Sequence, residues 1–162
     1  MGPIGRNERD VDRSFAGNHK ESDMKNSADF NALKKMAEQE DSEAQCELGW
    51  MYAVGREVVK DDTEAVRWFR RSAEQENIRA QFNLGVMYCT GEGVERNYEE
   101  AASWFKQAAD QGAAEAEYKL GSLYYLGRGV DEDEAKAVKW LQKAAKQGHE
   151  EAQKLLELYS QN

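Results

Sequence analysis

Sliding the sequence against itself by 36 residues superposes Ala44, Ala80, Ala116 and Ala152, then Leu48, Leu84, Leu120 and Leu156. The same shift aligns Gly49, Gly85 and Gly121; Tyr52, Tyr88 and Tyr124; Gly55, Gly91 and Gly127; and Trp68, Trp104 and Trp140. A fixed period of this size means stacked supersecondary units, each contacting only its neighbours. Stacked units make extended binding surfaces, so the repeat indicates a kind of task without naming a partner.

Within each period the apolar spacing is helical and strand signals are absent. Ala44, Leu48, Met51 and Tyr52 fall on one face, which predicts first helices over about 43–54, 79–90, 115–126 and 150–160. Gly55, Gly91 and Gly127 stand where a helix end needs a left-handed residue, which glycine adopts without a Cβ penalty. Asp61, Asn97 and Asp133 then recur as caps of the second helices, with Glu64 and Glu100 placed to complete capping boxes. These helices run to about 75, 111 and 147, where Gly112 and Gly148 terminate two of them and Glu76 replaces the glycine of the first. That end is expected to fray. Gly49, Gly85 and Gly121 are costly inside helices, roughly 1 kcal/mol each, so their recurrence predicts close approach of a partner helix. Ala65, Ala73 and Trp68 form the matching small-and-large pattern of the second helix.

The signature AQFNLGVMYCTGEGV, followed by AASWFKQAADQG, resembles the Sel-one-like repeat family, all-helical relatives of the tetratricopeptide repeats. The likeness covers residues 29–162, with departures at Glu57, Ser72 and Glu76 that leave the spacing intact. It implies an all-α, right-handed solenoid of antiparallel helix pairs that assembles other proteins. On this frame residues 27–43 form a half repeat, 44–79, 80–115 and 116–151 full repeats, and 152–162 a closing half, or about eight helices. A cysteine-rich branch of the family is linked to β-lactam binding and hydrolysis and carries paired cysteines in each unit. Cys46 and Cys89 fall at different phases here, so that enzyme reading is the remote one.

Charge narrows the classes further. With 22 basic and 31 acidic residues the chain carries a net charge of -9, which repels a phosphate backbone, and no basic cluster offsets it. Nucleic acid is not an expected partner. No window has the apolar length of a membrane span, and the start lacks the apolar core of a secretory signal, so a cytoplasmic monomer is expected. A periplasmic or secreted location would follow if an added leader replaced a native signal. Residues 1–26 match no repeat phase and balance five basic against five acidic side chains, which reads as a disordered tail or a leader. The two cysteines imply no disulfide framework, and neither has a sequence neighbour that would activate a thiol.

No constellation for catalysis emerges. GEG at 91–93 and GRG at 127–129 lack the preceding strand of a phosphate loop, and their glycines are explained as helix ends. His19 and His149 have no metal-ligand spacing, and the acidic run Asp131 to Glu134 crowds a helix amino terminus, where negative charge is favoured anyway. No cofactor, metal or catalytic residue is assigned. The three repeat-phase tryptophans read as inter-helix packing.

Positions that drift between repeats are those free to specialise. On the first helices they include Glu47, Asn83 and Lys119; Trp50, Val86 and Ser122; Cys46, Phe82 and Tyr118; with Arg79, Tyr125 and Leu126 nearby. Their spacing makes one face, displaced around the helix from the core stripe. The resemblance implies that this face lines the concave groove. The expected partner-binding set is Glu47, Trp50, Arg79, Phe82, Asn83, Val86, Tyr118, Lys119, Ser122, Tyr125 and Leu126, an apolar surface ringed by charge that suits a peptide or helix. The competing reading packs Cys46, Phe82 and Tyr118 between adjacent first helices. The function that follows is a non-catalytic protein-binding scaffold, an adaptor or regulatory subunit. The alternative is an inhibitor or immunity protein capping one toxin or enzyme.

Overall fold

A computed structural model describes residues 27–160, and the expectation for residues 1–26 lies outside them. All regular elements among the described residues are helical: α1 (Ser27–Glu38), α2 (Ser42–Val54), α3 (Asp62–Glu74), α4 (Ile78–Thr90), α5 (Tyr98–Asp110), α6 (Ala114–Leu126), α7 (Glu134–Lys146) and α8 (Glu150–Ser160). The chain divides into two compact units, one ending at Arg96 and the other starting at Asn97.

In the first unit α1 packs on α2, α2 on α3 and α3 on α4. Ala37, Ala44, Leu48 and Trp68 form one cluster of its interior, with Phe30, Leu33 and Tyr52 partly buried against it. Gly49 shows why the recurrent helical glycine is needed. A Cβ there would come within 2.9 Å of the Phe69 ring, so the absent side chain admits a fully buried aromatic from α3.

In the second unit α5 packs on α6, α6 on α7 and α7 on α8. The arrangement at Gly121 repeats that at Gly49, with Leu141 of α7 in place of Phe69 and a Cβ approach of 2.9 Å. Leu141, Ala144 and Ala152 form the cluster there, backed by Tyr118, Leu155 and Leu156. Of the three repeat-phase tryptophans, Trp68 and Trp140 are 8% exposed, whereas Trp104 is only half-buried and its neighbour Phe105 fills the interior.

The helix ends follow the expected chemistry with two differences. Gly55, Gly91 and Gly127 are left-handed, and each donates its amide back into the last turn, to Met51, Met87 and Leu123 respectively. Asp61, Asn97 and Asp133 accept from Glu64 N, Glu100 N and Lys136 N. The return arm of the first capping box is absent, however. Glu64 reaches forward to Arg67, and the Asp61 amide instead donates to Tyr52 O at 3.0 Å, tying the loop to the preceding helix. The second difference is at Glu76. It takes the left-handed conformation itself, at φ 64°, and its amide still bonds Ala73 O at 3.0 Å, so the turn after α3 keeps the bond of its counterparts without a glycine.

Candidate partner-binding face

The eleven candidate positions divide by accessibility. In the first unit Glu47 and Trp50 on α2 and Arg79 on α4 are half-exposed, while Phe82, Asn83 and Val86 are only 0%, 1% and 5% exposed. The expectation that these three line an open groove is corrected: their repeat-to-repeat variation reflects interior slots that accept different volumes. Cys46 follows them inside, and burial pushes its thiol up to about 12, which leaves it protonated and inert at neutral pH.

Trp50 keeps part of its ring at the surface, where the Arg56 guanidinium lies 5.7 Å from the ring centroid. Arg56 follows the terminating Gly55, so the helix end delivers the cation to the ring. On the same unit Glu43 of α2 pairs with Arg79 of α4 and accepts from Asn77 Nδ2 at 2.8 Å. This pairing spans two consecutive first helices. Arg70 of α3 donates to the Tyr88 hydroxyl at 2.5 Å and covers its ring, a contact that repeat comparison alone did not suggest.

In the second unit Tyr118 is half-buried, stacked on His149 with centroids 4.5 Å apart, and it belongs to the packing around Leu141. Cys46 and Phe82 are thus interior residues, and Tyr118 is half-buried against Leu141 and His149. Burial also pushes the Tyr118 phenol upward. Ser122 is turned inward on its own helix, donating to Tyr118 O at 2.9 Å. Lys119 is half-exposed, and Tyr125 and Leu126 are among the most accessible large apolar side chains, at 38% and 39%. Thus α6 offers an apolar end with a lysine about two turns away.

Both units together hold buried groups for packing, capped helices, and first-helix faces that carry aromatic and charged side chains. No helix among the described residues is long and apolar enough to cross a membrane. These features define a helical-repeat protein built to present surfaces. The repeats are Sel1 repeats, recognised at residues 42–77, 78–112 and 114–149, and the chain belongs to that family. Its fold is similar to that of c5321, a protective antigen of uropathogenic Escherichia coli strains displaying an SLR fold, with 45% identity and a TM-score of 0.74 over 76% of this chain. The chain spans 26% of the length of that antigen. A Sel1 repeat protein from Oxalobacter formigenes is 42% identical over 80% of this chain and 97% of its own, with a TM-score of 0.73. The cysteine rich protein B (hcpB) of Helicobacter pylori is 25% identical over 76% of this chain and 94% of its own, with a TM-score of 0.61. A comparison with curated proteins finds no match. Sel1 repeat proteins generally act as protein-interaction scaffolds.

Proposed function

We propose that this chain is a non-catalytic scaffold that takes a peptide or helix of a partner protein on its first-helix faces. The observation that carries the reading is Trp50, partly exposed on α2 with the Arg56 guanidinium over its ring, at a repeat position where the other units hold Val86 and Ser122. An accessible tryptophan bordered by charge is the composition of a binding hot spot. Lys119, Tyr125 and Leu126 give α6 a surface of the same character in the second unit. The acidic net charge of -9 favours a partner segment that pairs apolar anchors with basic flanks.

The test is affinity capture with the intact chain, then measurement of the captured protein's affinity for Trp50→Ala and Tyr125→Ala variants. A loss of tenfold or more with unchanged helix content and melting supports the assignment. Full retained affinity in both variants overturns it and directs attention to the second helices.

A further inference from the structure

One position of the repeat, buried at Gln45 and Gln81 and exposed at Gln153, carries side-chain hydrogen bonds of its own. Gln45, Gln81 and Gln153 occupy the same phase, and each sends its side-chain amide to the carbonyl eight residues earlier: Gln45 to Ala37 O at 3.0 Å, Gln81 to Ala73 O at 3.3 Å, and Gln153 to Ala145 O at 3.2 Å. The acceptors lie at the end of the preceding second-type helix, so each bond ties a first helix to the turn that leads into it. Residue 117 holds this phase in the remaining repeat, and there the side chain is glutamate, only 3% exposed. A carboxylate has no proton to donate.

We infer that Glu117 is a proton-operated latch: as a carboxylic acid its O–H donates to the Ala109 carbonyl, as the glutamine amides do in the other repeats, and on ionising it releases that contact. Two further observations support this. Glu117 Oε2 accepts from Gln147 Nε2 at 2.9 Å, the counterpart of the 2.7 Å bond between Gln75 and Gln45, so one oxygen is occupied in the common pattern. In addition, α6 is the first helix whose cap residue, Ala113, makes no side-chain bond, whereas Asp41 and Asn77 cap theirs. The start of α6 therefore depends on this side chain more than its counterparts do.

The charged groups on the elements packed against it are Glu99, Glu100, Lys106 and Asp110 of α5, of which the last two pair with each other, Glu134, Lys136, Lys139, Lys143 and Lys146 of α7, and Glu115 and Lys119 on α6 itself. Burial raises the Glu117 carboxyl above the ordinary glutamate range, opposed by the Gln147 bond and by Lys143. Lys143 is itself drawn over the Trp140 ring, 4.2 Å from its centroid. A raised folded value means that the folded chain binds the proton more tightly than the unfolded one. The latch therefore adds stability at acid pH and loses it as pH rises through the folded value.

The experiment compares thermal melting of the intact chain with that of Glu117→Gln between pH 5 and pH 8. The glutamine supplies the donor at every pH, so the variant is expected to melt about 2–4 °C higher at pH 8, with the gap closing as pH falls. A gap that stays constant across this range, or a variant that melts lower at pH 8, overturns the inference. Gln45→Glu places the same group beside Gln75 and should introduce a similar dependence into the first unit. If either variant fails to fold, the carboxyl carbon resonance of Glu117 in the unaltered chain decides, since titration at or below the ordinary glutamate value refutes the latch.

Discussion

The hairpins α2–α3 and α6–α7 use one register with different side chains. Gly49 makes room for Phe69 in the first, and Gly121 makes room for the smaller Leu141 in the second. Left-handed turn residues are Glu57 and Glu76 in the first, and Gly129 and Gly148 in the second. The cap of the leading helix is Asp41 in one and absent at Ala113 in the other. What stays constant is the steric framework, meaning the small residue under the crossing and the left-handed turns. Polar and volume details vary around it, and each variation gives a measurable contrast between the hairpins.

The largest contrast is in the buried side chain beneath the helical glycine. Phe69 is fully buried, so Phe69→Ala should cost about 3–5 kcal/mol, while Leu141→Ala should cost about 2–5. Denaturant melts of both variants, with hydrogen exchange read separately over residues 42–74 and 114–146, test whether the damage stays in the unit that was altered. Trp104→Ala serves as the control. Its half-buried ring should cost less than Phe69, and an equal loss would mean that the interior is carried by the tryptophans after all.

Next in size is the turn glycine. A Cβ on Gly129 would come within 2.1 Å of the Tyr98 backbone, and one on Gly93 within 2.1 Å of Asp62 O, because each loop lies on the first turn of the preceding second-type helix. Glu57 occupies this phase in the first hairpin, exposed and at φ 61°. The glycine is thus required by the neighbouring repeat rather than by the turn alone. Gly129→Ala should cost about 3 kcal/mol or more, combining overpacking with left-handed strain. Glu57→Ala should stay within about 0.5 kcal/mol. If the two substitutions prove equal in a urea melt, the loop contact carries no weight.

Much of this was readable from the repeat. The helix bounds, the left-handed Gly55, Gly91 and Gly127, and the caps Asp61, Asn97 and Asp133 depend on local stereochemistry, which one sequence expresses directly. The faces were less legible. Drift between repeats is no sure mark of surface, since Phe82, Asn83 and Val86 are buried and an interior slot also tolerates a change of volume. The glutamine phase is legible only as a recurrence at 45, 81 and 153, because polar residues suggest surface and the burial of Gln45 and Gln81 depends on packing that one sequence does not express. Tyr125 is accessible and Trp50 only partly so, and the Arg56 contact with Trp50 depends on the turn geometry that the sequence does not express.

A smaller effect concerns the missing cap. Asp41 Oδ1 accepts from Ala44 N at 2.9 Å and Asn77 Oδ1 from Ala80 N at 3.0 Å, while at the start of α8 His149 Nδ1 takes the same role toward Ala152 N at 3.3 Å. Ala113 already has the extended backbone of a cap, at φ -72° and ψ 109°. Ala113→Ser should therefore stabilise the second unit by about 1 kcal/mol without moving the backbone. Slower amide exchange over the first turn of α6 would confirm it, and unchanged exchange would mean that burial of the hydroxyl cancels the gain.

The smallest expected change is at Glu76, where side chain and backbone conformation disagree. At φ 64° a glutamate carries a steric penalty that glycine avoids, and Gly112 and Gly148 show the same phase filled by glycine at φ 89°. The turn bonds are nevertheless kept: Glu76 N to Ala73 O at 3.0 Å matches Gly112 N to Ala109 O and Gly148 N to Ala145 O, both 3.0 Å. Because the backbone bonds of the turn are the same, the backbone part of the difference is the steric penalty, less the extra chain entropy that glycine brings to the unfolded state. Glu76→Gly should thus raise stability by about 0.5 kcal/mol, while Gly148→Glu should lower it by a similar amount. Neither glycine at 112 nor at 148 has an atom within 4 Å of where its Cβ would be, so the reverse substitution introduces no clash to confuse the reading. Opposite and nearly equal shifts in the urea midpoint would establish that the turn is set by the flanking helices and only tuned by its central residue. If Glu76→Gly instead destabilises the chain, the glutamate side chain makes a contact worth more than its strain.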